Sequence, residues 1–270
     1  MVSNLSIFFM AISLIISVML PIAGIIYLKK KYKVSLKIFF IGMAAFFVAV
    51  QILEAPIHSY FLSFNEGTSN FLLNNPVAYM LYGGLMAGIF EETARLISFK
   101  YLIKERDNLT GITYGLGHGG IEAILIGGIS TLNAIVYSIL INKGGFQSLM
   151  EGALVSKDVI NTTYNHYVNS SAFYWLAPGF ERIAAIIVHI SLSVLVLYAV
   201  KEKKYIYYFL AIIIHATINF PAALYQVGVI NNVFLLEVGI MILAIIISII
   251  IFKKIIKNPH KPSNNLENSL

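Results

Sequence analysis

Long, nearly unbroken apolar blocks run along this chain, and its polar residues collect in the short stretches between them. A helical membrane span needs about 20 mostly apolar residues, within a range of roughly 17–25. Seven stretches qualify: about 5–28, 36–55, 77–100, 109–141, 179–200, 205–226 and 228–252. The fourth is too long for one straight pass, so it is expected to run past the membrane face or to bend at Gly127-Gly128. The pattern predicts an all-α, polytopic transmembrane helical bundle of about seven or eight spans. Residues 1–257 are read as a single membrane-embedded helical domain. Residues 258–270, polar and holding Pro259 and Pro262, are read as a disordered cytoplasmic tail. No internal repeat of the kind that marks transporter halves is visible.

Composition agrees with a lipid-facing chain. Hydrophobic residues make up 58% and charged residues 12%, with a mean hydropathy of +0.80. A soluble domain carries about 25% charged residues. There is no cysteine, which excludes disulfides, thiolate nucleophiles and Cys-based metal sites. The first apolar stretch lacks a basic leader and a small-residue cleavage site, so it is expected to be a true span.

The net charge of +6 matters through its placement. Lys29, Lys30, Lys31, Lys33 and Lys37, then Lys104 and Arg106, then Lys201, Lys203 and Lys204, and finally Lys253, Lys254, Lys257 and Lys261 fall on one set of connections. The other set holds only Lys143 and Lys157. Basic residues concentrate on cytoplasmic loops. The expected arrangement is a multi-pass protein of the cell (plasma) membrane, N-terminus outside and C-terminus cytoplasmic. A lipid bilayer is the implied partner, and nucleic acid is not. The outer connection at about 142–178 is read as a plain solvated loop in preference to an interfacial helix or lid. Its N-x-S/T matches at Asn161 and Asn169 are too common a pattern to carry weight.

Ionisable residues at mid-depth set the chemistry. One charge at the bilayer centre costs roughly 2.5–3.5 kcal/mol on insertion scales. Span three carries Glu91, Glu92 and Arg95, and span four carries Tyr114, His118 and Glu122. Span five begins at Glu181-Arg182 and holds His189, and span six holds His215 and Asn219. Leaving Glu91, Glu92, Arg95 and Glu122 unpaired would cost on the order of 10 kcal/mol, so they are expected to face inward and satisfy one another. Arg95 lies four residues after Glu91 and three after Glu92, within reach of either. The other carboxyl then faces the bundle axis, where desolvation beside a like charge suits a general base. His118 and Glu122 share a helix face, as do His215 and Asn219, which can point two donors at one oxyanion. Bland readings exist for several of these residues. Glu92 with Arg95 can be a structural ion pair, His189 a helix–helix hydrogen-bond partner, and Glu181-Arg182 an interfacial anchor. Glu54 and Glu237 lie near span ends, where they can reach the interface, and His58, His166 and His260 are placed outside the membrane with no role. The glycines around His118 are read as close-packing positions.

Glu91-Glu92-x-x-Arg95, Tyr114-x-x-x-His118 and His215-x-x-x-Asn219 resemble the three motifs of the CAAX-prenyl-protease and bacteriocin-processing superfamily. Those motifs read Glu-Glu-x-x-x-Arg, Phe-x-x-x-His and His-x-x-x-Asn. Gly117-His118-Gly119-Gly120-x-Glu122-Ala123 and Glu181-Arg182…His189 are similar to the YhfC family of intramembrane proteases, a branch related to PrsW and to a γ-secretase scaffold subunit. The resemblance covers about residues 80–220. It implies that Glu91 activates water, that His118 assists, and that His215 and Asn219 stabilise the oxyanion. Arg95, Glu122 and His189 are implied as supporting residues. One residue fewer separates the glutamates from the arginine here, which leaves Glu92 open as the base.

The expected function is an intramembrane endopeptidase acting on membrane-protein or lipidated-peptide substrates with a glutamate-activated water and no cofactor. Zinc held by His118, His189, His215 and Glu91 is the alternative, ranked second because no single helix carries a His-x-x-x-His pair. A proton-coupled transporter and a non-catalytic membrane scaffold are the competing classes.

Overall fold

A computed structural model describes residues 1–256, so the tail expected to be disordered lies outside the described residues, as does His260. The described chain is 88% helical, with no strand and ten helices. They are α1 (Asn4–Tyr32), α2 (Leu36–Phe64), α3 (Glu66–Asn74), α4 (Pro76–Ile97), α5 (Asn108–Lys143), α6 (Phe146–Gly152), α7 (Lys157–Asn169), α8 (Ala177–Lys201), α9 (Ile206–Gln226) and α10 (Val233–Ile256). Six of the seven expected stretches become helices long and apolar enough to cross a membrane. The other, α4, is 22 residues long and carries Glu91, Glu92 and Arg95, all buried.

Local chemistry starts and stops these helices. Ser3 caps α1 by accepting from the Ser6 amide at 3.0 Å, and Lys29, Lys30 and Lys31 lie in its last turn, where cations suit the helix dipole. Asp107 caps α5 by accepting from the Thr110 amide at 3.0 Å. Span two is expected from the sequence to end near residue 55, but α2 continues to Phe64. Pro56 has no amide hydrogen and its ring crowds the preceding carbonyl, yet wide π-helical turns at Phe47–Glu54 and Tyr60–Phe64 on either side let the helix carry on past it. α5 spans 36 residues, about 54 Å at 1.5 Å per residue. A π-helical turn at Ala123–Gly128 interrupts its regular geometry where the glycine pair predicts a bend.

α8 is the central helix, packed against α1, α4, α5, α9 and α10 and buried along most of its length. α4 pairs with α9, and α2 with α5. Two glycines bring these layers together around His118. A Cβ on Gly115 would lie 2.5 Å from the Ile190 Cα of α8, and one on Gly117 would run into the Phe39 carbonyl of α2. Only glycine permits both approaches.

The 142–178 connection, expected to be a plain loop, is ordered. It folds as α6, α7 and a tight 3₁₀ turn at Ala172–Leu176. The cause is aromatic. Phe146 and Trp175 are buried with Ile160 against α1 and the end of α5. Tyr167 and Trp175 stack at 4.9 Å, and His166 meets Tyr174 at 5.1 Å.

Candidate active site

α4, α5, α8 and α9 each send ionisable side chains toward one point. Glu91 is the centre. Its Oε2 lies 2.9 Å from His118 Nε2 and 3.7 Å from His189 Nδ1, and its Oε1 lies 3.7 Å from His215 Nε2. Three imidazoles from three helices therefore surround one carboxylate. Glu91 is 6% exposed and His118 fully buried.

The partner of Arg95 is settled by distance. Its Nη1 donates to Glu92 Oε1 at 2.5 Å, while Glu91 Oε2 lies 3.7 Å from Nη2. Its Nε donates to Ser193 Oγ at 3.2 Å. Glu92 also takes His215 Nδ1 at 2.6 Å and is wholly buried. So the shortened spacing gives Glu92 the salt bridge and leaves Glu91 facing the imidazoles.

These contacts determine the imidazole tautomers. A carboxylate only accepts, so Nδ1 of His215 carries the hydrogen bonded to Glu92, and its Nε2 lone pair faces Glu91. A guanidinium only donates, so His189 Nδ1, against Arg95 Nη2, carries a lone pair. Its Nε2 then carries the hydrogen and lies against Glu122 Oε2 in an ion-pair contact. Arg182 Nη1 in turn donates to Glu122 Oε1 at 2.7 Å. Arg182 is buried and paired with Glu122 and Glu181, so the interfacial-anchor reading gives way to a place beside the site. His118 sets its ring edge-on to Phe46 at 5.2 Å, and its Nδ1 is buried without a partner.

The donor set fits a metal ion. One ligand atom each from Glu91, His118 and His189 lie within 4.8 Å of one another. Two of the three imidazoles, His189 and His215, have their far nitrogen held by a carboxylate, the arrangement that orients metal-ligating histidines. Four carboxylates (buried Glu91 and Glu92, part-buried Glu122 and Glu181) face two guanidiniums (Arg95, Arg182), leaving two negative charges (4 − 2 = 2) that a cation would offset.

Asn219, one turn beyond His215, is half-buried and shares a 70 Å³ pocket with Glu91, Glu122, His189 and His215, room for roughly two waters. A larger cavity of about 470 Å³ opens from Glu91 and Asn219 toward Glu54, His58 and Tyr82. Glu54 and His58 correct two expectations. Glu54 is 3% exposed, its carboxyl held among the helices, and His58 lines the same cavity as Glu91. The signal that could have found them is their own i,i+4 spacing on a helix that continues past Pro56. Glu237 is half-buried beside Glu181 in a separate pocket, and His166 stays in the aromatic cap.

A family model described as YhfC intramembrane metalloprotease matches residues 16–240. The uncharacterized membrane protein YhfC of Bacillus subtilis (strain 168) is 41% identical over 245 residues, covering 90% of this chain and 94% of that protein. No solved structure matches the chain.

Proposed function

The chain belongs to the YhfC intramembrane metalloprotease family, and on that premise we propose that it is a membrane-embedded peptidase whose reaction centre is Glu91 within its three imidazoles. The single observation that carries this reading is the convergence of His118, His189 and His215 on one buried carboxylate beside a polar cavity. The gathering of one ligand atom each from Glu91, His118 and His189 within 4.8 Å also reverses the order in which residue spacing ranked the two versions of the site. A divalent ion of the zinc type is favoured, held by Glu91, His118 and His189, with His215 adjacent. Such an ion supplies Lewis acidity toward water and a carbonyl oxygen.

The chain's own residues do the rest. Glu91 Oε1 takes the proton of the attacking water and passes it to His215 Nε2, 3.7 Å away. Glu92, held by Arg95, stabilises the imidazolium through His215 Nδ1, the role a buried carboxylate plays behind a catalytic histidine. His215 returns that proton to the leaving nitrogen as the carbon–nitrogen bond breaks. The Asn219 amide donates to the carbonyl oxygen as it gains charge. Glu122 and Arg182 hold His189 in the tautomer that turns Nδ1 inward. The substrate is a membrane-protein segment or a lipidated peptide, because the cavity lies among apolar helices. The chain sits in the plasma membrane with its N-terminus outside, the orientation that puts its lysine-rich connections in the cytoplasm.

Metal analysis of the purified protein tests the metal arm. About one zinc per chain is expected, lost in His118→Ala and His189→Ala together with cleavage of a single-span reporter peptide. Cleavage that persists in a metal-free, chelator-treated preparation would return the site to the metal-free version.

A further inference from the structure

One polar group in the cavity has no part in the chemistry above. Glu54 is buried, and its Oε1 bonds to His58 Nε2 at 3.0 Å. His58 Nδ1 bonds to Tyr82 Oη at 2.9 Å, with the two rings edge-on at 5.3 Å. Glu54, His58 and Tyr82 all line the 470 Å³ cavity that reaches Glu91, Asn219 and Arg182. A carboxylate, an imidazole and a phenol thus form a chain of hydrogen bonds ending on a half-buried hydroxyl beside open space.

The chain of bonds decides what the hydroxyl can do. Glu54 only accepts, so His58 Nε2 carries a hydrogen. With His58 neutral, Tyr82 donates to Nδ1 and its oxygen is free to accept an N–H from the cavity. With His58 protonated, Nδ1–H donates to the Tyr82 oxygen, and the phenol hydrogen is free to donate to a carbonyl. Both partners are what a peptide backbone offers. An apolar helix satisfies its own N–H and C=O groups, and unwinding it for hydrolysis strands them without partners. A site that opens such a helix must therefore supply partners near the cut bond. Tyr82 lies nine residues before Glu91 on α4, about 13 Å along the helix axis, which an extended chain covers in roughly four residues.

We propose that Glu54, His58 and Tyr82 form a subsite for the unwound backbone of the substrate, about four residues from the bond that is cut. Tyr82 makes the contact, and Glu54 and His58 are positioning residues behind it. The inference rests on the peptidase reading of Glu91, and its test separates the two.

The probe is fluorescein-labelled casein, an unfolded polypeptide, added to the full chain in detergent micelles. Cleavage kinetics are measured for the wild type, Tyr82→Phe and His58→Gln, and casein binding is measured by anisotropy in the Glu91→Gln background. Losing one net hydrogen bond predicts a rise of about three- to tenfold in KM and in the dissociation constant for Tyr82→Phe, with kcat within about twofold. His58→Gln should show the same split with unchanged thermal stability. An unchanged KM and binding constant in Tyr82→Phe overturns the subsite, as does a fall in kcat alone, or failure of casein to bind either the wild type or Glu91→Gln. Casein that binds the wild type uncut, and binds less well in Tyr82→Phe, leaves the subsite standing while the peptidase reading falls.

Discussion

Arg95→Met should be among the most damaging single changes in the bundle, and its cost follows from its contacts. The side chain is wholly buried and donates to Glu92, Ser193 and His189 while lying 3.7 Å from Glu91. Without it, Glu92 keeps only His215 at 2.6 Å, and its Oε2 already has no partner. Removing one member of a buried ion pair costs about 3–5 kcal/mol, because a charge is stranded. That is a large part of the roughly 5–15 kcal/mol that holds a domain together. The double variant Arg95→Met with Glu92→Leu removes the stranded charge as well, and apolar replacement of a buried pair is commonly near neutral. It should unfold within about 1–2 kcal/mol of the wild type while remaining inactive. The assay is unfolding in mixed dodecyl maltoside and sodium dodecyl sulfate micelles, followed by the fluorescence of Trp175, the sole tryptophan. A single-variant loss below about 1 kcal/mol, or a double variant as unstable as the single, would show that the pair is solvated and would refute the buried-network argument.

Glu122→Gln should keep the fold and lower metal content or reporter cleavage by about 10–100-fold, since it removes the charge and leaves one acceptor oxygen for both Arg182 and His189; a change below twofold would remove Glu122 from the site. Gly117→Ala should destabilise by about 1–3 kcal/mol or more, because the methyl meets the Phe39 backbone and not a movable side chain, whereas Gly152→Ala, with nothing within 4 Å, should be neutral in the same unfolding assay. His166 lies against Tyr174 and Trp175, and this partial desolvation holds its pKa below the ordinary histidine value. The unfolded cap therefore binds more protons, so its stability is full above about pH 6.5 and is lost as the pH drops below that value through the lower pKa of the folded state. Trp175 emission should report this loosening in the wild type and not in His166→Phe; identical pH profiles would remove His166 as its cause.

The parts of the site legible in the sequence are those in which burial depth and helical spacing act together. Glu91, His118, His189 and His215 could be grouped because an ionisable residue in an apolar helix must find partners, and the third to sixth expected spans each offered one. Arg95 illustrates the limit of spacing. Both i+3 and i+4 partners were open, and only the packing of Ser193 and His189 around the guanidinium selects Glu92. The imidazole tautomers were out of reach as well, since they depend on contacts between helices far apart in the chain. Glu54 and His58 were passed over because the apolar stretch of span two is read as ending near residue 55, and apolar periodicity carries no sign that π-helical turns carry the helix on past Pro56. In the 142–178 segment, polar composition concealed an order imposed by Phe146, Trp175 and their neighbours, whose partners lie on α1 and α5.

The most direct measurement is the rate at which the purified, membrane-reconstituted protein cleaves a single-span reporter peptide, compared with Glu91→Gln. The substituted amide keeps the shape of the side chain but cannot take a proton. A fall of about a thousandfold or more is expected, near the upper part of what general base catalysis contributes, with unfolding behaviour unchanged. Cleavage at the wild-type rate in Glu91→Gln would contradict the placement of the reaction at this carboxylate.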